Sequence, residues 1–145
     1  YLEFKNMDDL KQALFAQIYE YLKHEVFPVV HTGNNIIDLA VNYIDFANRE
    51  KKLYSSLYLE EYGGGREMQN FSYNYFVETV KKDPEYADLS AEQIESLHNT
   101  IWIIATGLAA LMSSSIIHPT KEQIEKMIQD SINATLNTKE TIQVN

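Results

Sequence analysis

The stretch from Leu89 to Pro119 decides the fold, and it reads L-S-A-E-Q-I-E-S-L-H-N-T-I-W-I-I-A-T-G-L-A-A-L-M-S-S-S-I-I-H-P. Ser90 is a favourable N-cap residue and Gln93 follows three positions later, which is typical of a capping box. In the run I-W-I-I-A-T-G-L-A-A-L-M the one polar side chain is that of Thr106. Because a helix that is apolar on every side must be buried on every side, we expect a central helix covered in part by a second subunit.

Small residues recur every fourth position along this helix, and a capped amphipathic helix follows it. Side chains four residues apart share a helix face, so each set forms a smooth ridge on which another helix can pack closely. Thr120 and Gln123 repeat the capping pattern at the start of the next helix. We predict a homodimer in which both helices form an intermolecular four-helix bundle. The predicted interface residues are Ala105, Ala109, Ala110, Ser113, Ile124, Ile128 and Ile132.

The uncharged stretch between Ser96 and Ile117 also has to be compared with a membrane span. A spanning helix needs about 20 predominantly apolar residues and is usually flanked by basic residues. This window instead carries polar side chains at His98, Asn99, Thr100, Thr106, Ser113, Ser114 and Ser115. Since the N-terminus shows no secretory signal pattern either, we predict a cytoplasmic protein without membrane contact.

Composition places the whole chain in one structural class. Its 145 residues suit a single domain, and only 5 glycines and 3 prolines interrupt the helix-forming residues. No alternating strand pattern persists, so the prediction is an all-α bundle of about six helices. The net charge of −9 argues against a nucleic-acid platform, because phosphate contacts need clustered lysine and arginine. The chain has 0 cysteines, which excludes disulfides and thiol chemistry.

The N-terminal segment Y-L-E-F-K-N-M-D-D-L places two aromatic residues before a helix start. Asn6 fits an N-cap, and two aspartates follow in the first turn. The segment resembles the end of the helix-turn-helix domain in TetR-family transcriptional regulators, where a tyrosine closes the recognition helix and a phenylalanine packs beneath it. The resemblance implies that Tyr1 and Lys5 belong to the DNA-contacting end. Met7 occupies the position where the family usually has a lysine that approaches a DNA phosphate.

The central helix carries a second resemblance. Its segment W-I-I-A-T-G-L resembles the W-x-x-x-H-G-L segment of a TetR effector-domain subgroup, with Trp102, Gly107 and Leu108 matching and Thr106 in place of the histidine. The resemblance implies that residues 1–10 end the helix-turn-helix domain and begin a linking helix. Residues 11–138 would form the effector-binding and dimerisation domain, and residues 139–145 a tail. It further implies a homodimeric repressor that contacts operator DNA through an N-terminal domain outside this chain.

Few residues are spaced for catalysis or metal binding. Glu95 and His98 form a single E-x-x-H, whereas di-iron bundles use that spacing twice together with two further glutamates. Gly63–Gly65 lacks the preceding strand and the G-K-[ST] motif of a phosphate cradle, and it is interpreted as a flexible connection. No serine has the surroundings of a nucleophile. We therefore predict no enzymatic activity, no cofactor and no metal.

The aromatic residues indicate a ligand cavity: there are 10 tyrosines, 6 phenylalanines and 1 tryptophan. Core filling accounts for many of them, but a tyrosine also combines an apolar ring with a polar tip, which suits a binding cavity. No arginine or lysine occurs on the apolar faces, so an anionic ligand would lack a buried counter-charge. We predict an apolar small-molecule effector with Thr106 as a polar contact. The predicted lining residues are Tyr43, Tyr54, Tyr58, Phe71, Tyr75 and Trp102.

Two other classes of protein remain open at this point. The same residues could form a stand-alone helical module that binds a small molecule or another protein and has no regulatory head. A di-metal oxidase is a more distant alternative, because it would need metal ligands beyond Glu95 and His98.

Overall fold

The computed structural model of the chain describes residues 5–59, 65–138 and 144. Within these ranges all regular secondary structure is helical, which confirms the all-α class and the expected number of about six helices. The helices are α1 (Met7–Tyr21), α2 (Asn35–Arg49), α3 (Lys51–Tyr54), α4 (Gly65–Lys82), α5 (Ala91–Ser113) and α6 (Lys121–Asn137). Two π-helical segments, Leu22–Val26 and Ser55–Leu59, continue α1 and α3. The predictions for Tyr1, Phe4, Gly63–Gly64 and residues 139–143 and 145 lie outside the described residues.

Reciprocal capping boxes open α5 and α6 as predicted. The Gln93 backbone N–H donates to Ser90 Oγ over 3.1 Å, and the Ser90 backbone N–H donates to Gln93 Oε1 over 2.9 Å. Thr120 and Gln123 make the same pair of bonds at the start of α6. Each box satisfies backbone groups that a helix end would otherwise leave without partners, so it fixes where the helix begins.

The sequence pattern predicts that the central helix runs to Ser115, but α5 ends at Ser113, two residues earlier. Ser115 has a φ of 56°, the left-handed conformation that commonly terminates helices. The Ser115 and Ile116 backbone N–H groups donate to the carbonyls of Met112 and Leu111, each over 3.0 Å. These two bonds form a Schellman motif, which satisfies the last carbonyls of the helix and turns the chain toward α6.

The pair Asn35 and Asp38, three residues apart in the sequence, predicts a capped helix start at Asn35, and the observed cap of α2 lies one residue earlier. Asn34, not Asn35, is the N-cap, and its side-chain oxygen accepts from the backbone N–H groups of Ile36 and Ile37. Asp38 folds back instead and accepts from the backbone and hydroxyl of Thr32 and from the backbone of Gly33. Burial of Asp38 acts to raise the pKa of its carboxyl, but the hydrogen bonds from the loop outweigh it and hold the pKa below its usual value. The buried carboxylate therefore ties the loop to α2.

The core lies between α2, α5 and α6, and α4 and the segment Leu22–Val26 also pack against α2. Helix α5 packs against both α2 and α6. Helical spacing in the sequence predicts a buried stripe on α2, and all five of its members are buried: Ile36, Ala40, Tyr43, Ile44 and Ala47. The same spacing predicts a stripe of Leu10, Leu14, Ile18 and Leu22 at the start of the chain, and this prediction is wrong at Leu14, which is 49% exposed. Phe15 is buried in its place, since it stacks on Tyr19, which in turn stacks on Phe71 of α4.

One face of α5 is uncovered in the single chain, and the sequence predicted that a second subunit covers part of this helix. Ile103 is 54% exposed and Leu111 is 41% exposed, and Gly107 and Ala110 lie exposed between them. The positions 103, 107, 110 and 111 follow helical spacing, so they form one continuous face. Even so, among the described helices none combines the length and the hydropathy that a bilayer span requires.

We expect Ser115→Gly to raise the free energy of unfolding by about 1 kcal/mol, because only glycine adopts a left-handed conformation without steric cost. Ser114→Gly is the matched control: its φ is −86°, where glycine gives no such gain. Equilibrium urea denaturation of the two variants measures the difference. A Ser115→Gly variant no more stable than Ser114→Gly would contradict the assigned end of α5.

Candidate functional site

An apolar cavity lies between α2, α4 and α5. It offers about 50 Å³ to the centre of a water molecule, which is several times the roughly 10–15 Å³ that one water needs. Its lining residues are Phe27, Ile36, Leu39, Ala40, Tyr43, Ser72, Phe76, His98, Ile101, Trp102 and Ala105. A concave space with so few polar groups suits an apolar ligand. We call this space the inner cavity.

Helical periodicity brings the lining side chains together. On α2, Ala40 precedes Tyr43 by three residues, and on α5, Trp102 precedes Ala105 by three residues. Residues at this spacing share a helix face, so each helix presents a large ring beside a methyl group. Both alanines are buried. The small side chains leave unfilled the volume that a leucine or phenylalanine would occupy.

A hydrogen-bonded network of hydroxyl groups surrounds the aromatic side of the inner cavity. The Tyr43 hydroxyl lies 2.7 Å from that of Tyr54 and 3.1 Å from Thr106 Oγ1. The Tyr58 hydroxyl lies 2.8 Å from Ser72 Oγ. Burial raises the pKa of Tyr43 and of Tyr58 far above the ordinary value, so both rings remain uncharged at neutral pH. Thr106 thus holds Tyr43 in place, whereas the sequence predicted a contact to the ligand.

A second group of rings stands behind the cavity. The Tyr19 and Phe71 rings stack with centroids 4.4 Å apart, and Phe27 lies 6.4 Å from Phe71 and 5.1 Å from Tyr75. Phe27 lines the inner cavity, but Phe71 and Tyr75, both predicted as lining residues, are not among its lining residues. Tyr75 lines a separate cleft that also contains Asp38. Phe27 therefore joins the inner cavity to the aromatic contact between α1 and α4.

A larger and more polar pocket adjoins the inner cavity, and we call it the outer pocket. Its volume is about 380 Å³ on the same measure. Its lining residues are Tyr58, Gln69, Asn70, Ser72, Tyr73, Glu95, His98, Asn99, Trp102 and Val144. Ser72, His98 and Trp102 line both spaces. The outer pocket and the inner cavity therefore adjoin at these three side chains.

His98 stands at the boundary between the two spaces. Its ring lies 4.9 Å from that of Tyr73, 5.2 Å from that of Phe76 and 6.1 Å from that of Trp102, measured between centroids. Burial lowers the pKa of His98, against an opposing hydrogen bond with Asn99, so the imidazole is neutral at pH 7. A neutral ring between aromatic neighbours contributes little charge to either space.

Of the seven predicted ligand-site residues, Tyr43 and Trp102 line the inner cavity, and Tyr58 and Trp102 line the outer pocket. Hydrogen bonds join Tyr43 to Tyr54 and Thr106, and the ring of Tyr58 packs against those of Tyr43 and Tyr54. The other residues that line the inner cavity were not predicted as lining residues: Phe27, Ile36, Leu39, Ala40, Ser72, Phe76, His98, Ile101 and Ala105. One feature of the sequence could have indicated this cavity: on each of two helices an alanine lies three residues from a large aromatic residue, Ala40 from Tyr43 and Ala105 from Trp102.

The predicted dimer-interface residues occupy two different environments in the single chain. Five of them are buried within it: Ala105, Ala109, Ile124, Ile128 and Ile132. Ala110 is exposed, and the half-buried Ser113 donates from its hydroxyl to Asn48 Oδ1 over 2.8 Å. The predicted DNA contact Lys5 is exposed at the start of the described chain.

The polar side chains of the outer pocket are not arranged as a metal site. Within the described ranges no group of three or more His, Cys, Asp or Glu side chains could hold a metal ion.

Comparison with known proteins finds no matching family model, no matching curated protein and no matching solved structure. The function is therefore inferred from the geometry of the two adjoining spaces and from the sequence motifs.

Two buried alanines of α5 allow the inner cavity to be tested directly. Ala105 lines the cavity and Ala109 does not, although each is 2% exposed. We expect Ala105→Leu to change the free energy of unfolding by less than about 1 kcal/mol, because the cavity accepts the added atoms. Ala109→Leu should lose about 1–3 kcal/mol through overpacking. Urea denaturation measures both, and equal losses would show that no space exists beside Ala105.

Proposed function

We propose that the chain is the effector-binding and dimerisation part of a ligand-responsive transcriptional regulator of the TetR type, acting as a cytoplasmic repressor. The inner cavity between Tyr43 and Trp102 carries the proposal, since it offers an apolar ligand a concave, mostly apolar site between the helices of a bundle. The segment around Trp102, Gly107 and Leu108 supports it, because the residues that resemble the family lie on the helix that lines the cavity.

The lining of the inner cavity defines the chemistry of the effector. None of the described side chains that line it is charged at neutral pH, since His98 is neutral. An ion buried there would lack a counter-charge and would bind poorly. Trp102, Phe76 and Tyr43 offer ring faces and edges that favour an aromatic or similarly flat apolar molecule. The effector is thus uncharged in the part that enters the cavity.

The aromatic contact behind the cavity offers a route for regulation. A ligand that displaces Phe27 also changes its contacts with Phe71, on which Tyr19 of α1 stacks. Under the proposal, α1 leads back to a DNA-binding domain that precedes Tyr1 and contacts the operator. The ligand can shift the orientation of α1 only by as much as its affinity differs between the two orientations.

The uncovered face of α5 supports the homodimer. Gly107 lies in the middle of this face, and a Cβ atom added to it would meet nothing within 4 Å. Glycine within a helix costs about 1 kcal/mol relative to alanine, and close approach of another helix gives a reason for it. A second copy of the chain can present the same face across a two-fold axis. The proposed contact centres on Gly107 and Ala110, with Ile103, Leu111 and Met127 around them.

A stand-alone small-molecule-binding or protein-interaction module is the second candidate. The inner cavity and the uncovered face of α5 would serve such a module equally well, because neither requires a DNA-binding domain. The coding sequence upstream of Tyr1 discriminates between the two functions. A basic helix-turn-helix stretch of about 45 residues supports the regulator, and a different or absent domain supports the module.

Ligand binding can be followed through Trp102, the single tryptophan of the chain. We expect apolar aromatic compounds to change its fluorescence saturably and to raise the melting temperature, because a ligand that binds only the folded state stabilises it. Ala105→Leu should remove both effects by filling the inner cavity, and Ala109→Leu should retain them. If a broad panel changes neither the emission nor the melting temperature of the wild-type chain, the cavity is not a binding site.

Dimerisation can be tested on the exposed residue Ala110. We expect the wild-type chain to sediment as a dimer and Ala110→Arg to sediment as a monomer with unchanged helix content, because a charge would be buried without a partner in the contact. Ala16→Arg on α1 is the matched control, since Ala16 is also exposed. A dimer that survives Ala110→Arg would place the interface elsewhere.

A further inference from the structure

The inner cavity and the outer pocket together form a space with one apolar end and one polar end. Ser72, His98 and Trp102 line both, so a single molecule can occupy the two at once. A purely apolar ligand would use the first space and leave the polar groups of the second to water. The side chains of the outer pocket therefore indicate the chemistry of the part of the ligand that binds there.

Asn99 provides the decisive polar group. Its side-chain nitrogen is buried, and among the described residues it is the one buried side-chain nitrogen or oxygen without a hydrogen-bond partner. The amide N–H groups are left to donate elsewhere. A buried donor without an acceptor costs about 1–3 kcal/mol, so a structure that contains one gains by receiving an acceptor.

The charge of the outer pocket restricts what that acceptor can be. Glu95 is the one charged side chain among its described lining residues, which include no lysine or arginine. His98, at the boundary, is neutral. A carboxylate or phosphate placed near Glu95 would be repelled and would lack a counter-charge. The acceptor is therefore an uncharged oxygen or nitrogen.

We propose, resting on the effector function proposed above, that the effector is an amphipathic molecule with an apolar ring in the inner cavity and an uncharged hydrogen-bond acceptor, such as a carbonyl oxygen, bound by the Asn99 amide in the outer pocket. Asn99 is thereby a specificity residue: it selects for a ligand with an acceptor against one of the same shape without it. A site that contains a buried donor rejects the isostere that leaves the donor unpaired.

Three probes of nearly equal shape test the assignment: acetophenone, which has a neutral carbonyl; α-methylstyrene, which has a CH₂ group in its place; and benzoate, which is anionic. Titration against Trp102 fluorescence reports binding in either space, because Trp102 lines both. We expect acetophenone to bind about tenfold more tightly than α-methylstyrene, the difference that one hydrogen bond to a buried donor provides. Benzoate should bind the most weakly of the three.

Substitution of Asn99 should remove the preference. In Asn99→Leu, acetophenone and α-methylstyrene are expected to bind with equal affinity, because the donor is gone. Asn99→Asp keeps the shape and replaces the donor with a negative charge, and it should also lose the preference. Asn74→Leu is the control, since Asn74 is exposed on α4 and should leave the tenfold difference intact. Thermal denaturation establishes that each variant folds.

The outcomes separate this inference from the proposed function. If acetophenone and α-methylstyrene bind the wild-type chain equally, or if the preference survives in folded Asn99 variants, the role of Asn99 is overturned while the cavity stands. If benzoate binds the most tightly, the uncharged acceptor is wrong. If none of the three probes changes the emission of Trp102 or the melting temperature, both the inference and the ligand-binding function fail.

Discussion

The Tyr43 hydroxyl cannot be buried without hydrogen-bond partners, and this requirement fixes the centre of the molecule. Its two partners, Tyr54 and Thr106, lie on α3 and α5, so one buried oxygen sets the positions of three helices. With the ring held in that orientation, Tyr43 stands beside Ala40 and cannot move into the space that the alanine leaves. The inner cavity therefore persists because the hydroxyl group of Tyr43, the tyrosine that lines it, is hydrogen-bonded to Tyr54 and Thr106.

The inner cavity and the outer pocket each lower the stability of the folded state, for different reasons. An unfilled apolar volume forfeits packing contacts, and an unpaired Asn99 nitrogen forfeits a hydrogen bond. Both lie beside Trp102 and His98, while the remaining core of α2, α5 and α6 is closely buried. Natural proteins commonly keep such local costs where a ligand is bound. The coincidence of the two in adjoining spaces is what makes this region, and not the cleft beside Tyr75, the candidate site.

What the sequence predicted well was local, and what it missed depends on distant contacts. The capping boxes of Ser90 and Thr120 each involve residues three positions apart, so they were readable from the sequence. Phe15 replaces Leu14 in the core because Tyr19 stacks on Phe71, more than fifty residues away. Ala105 was assigned to a dimer ridge because small residues at a spacing of four indicate close packing. Which helix approaches that ridge, or whether a space is left beside it, is decided by tertiary structure.

The π-helical segment before Phe27 has a consequence for how much the length of related chains can vary. A π-helical turn contains one residue more than an α-helical turn, and Leu22–Val26 immediately precedes Phe27. Deleting one residue from this segment would restore regular α geometry and leave the following residue facing nearly the same way, because five residues of π-helix turn the chain about as far as four residues of α-helix. Phe27 would then keep its place beside the inner cavity. Related chains can therefore differ by one codon at this turn and present the same aromatic ring to a ligand.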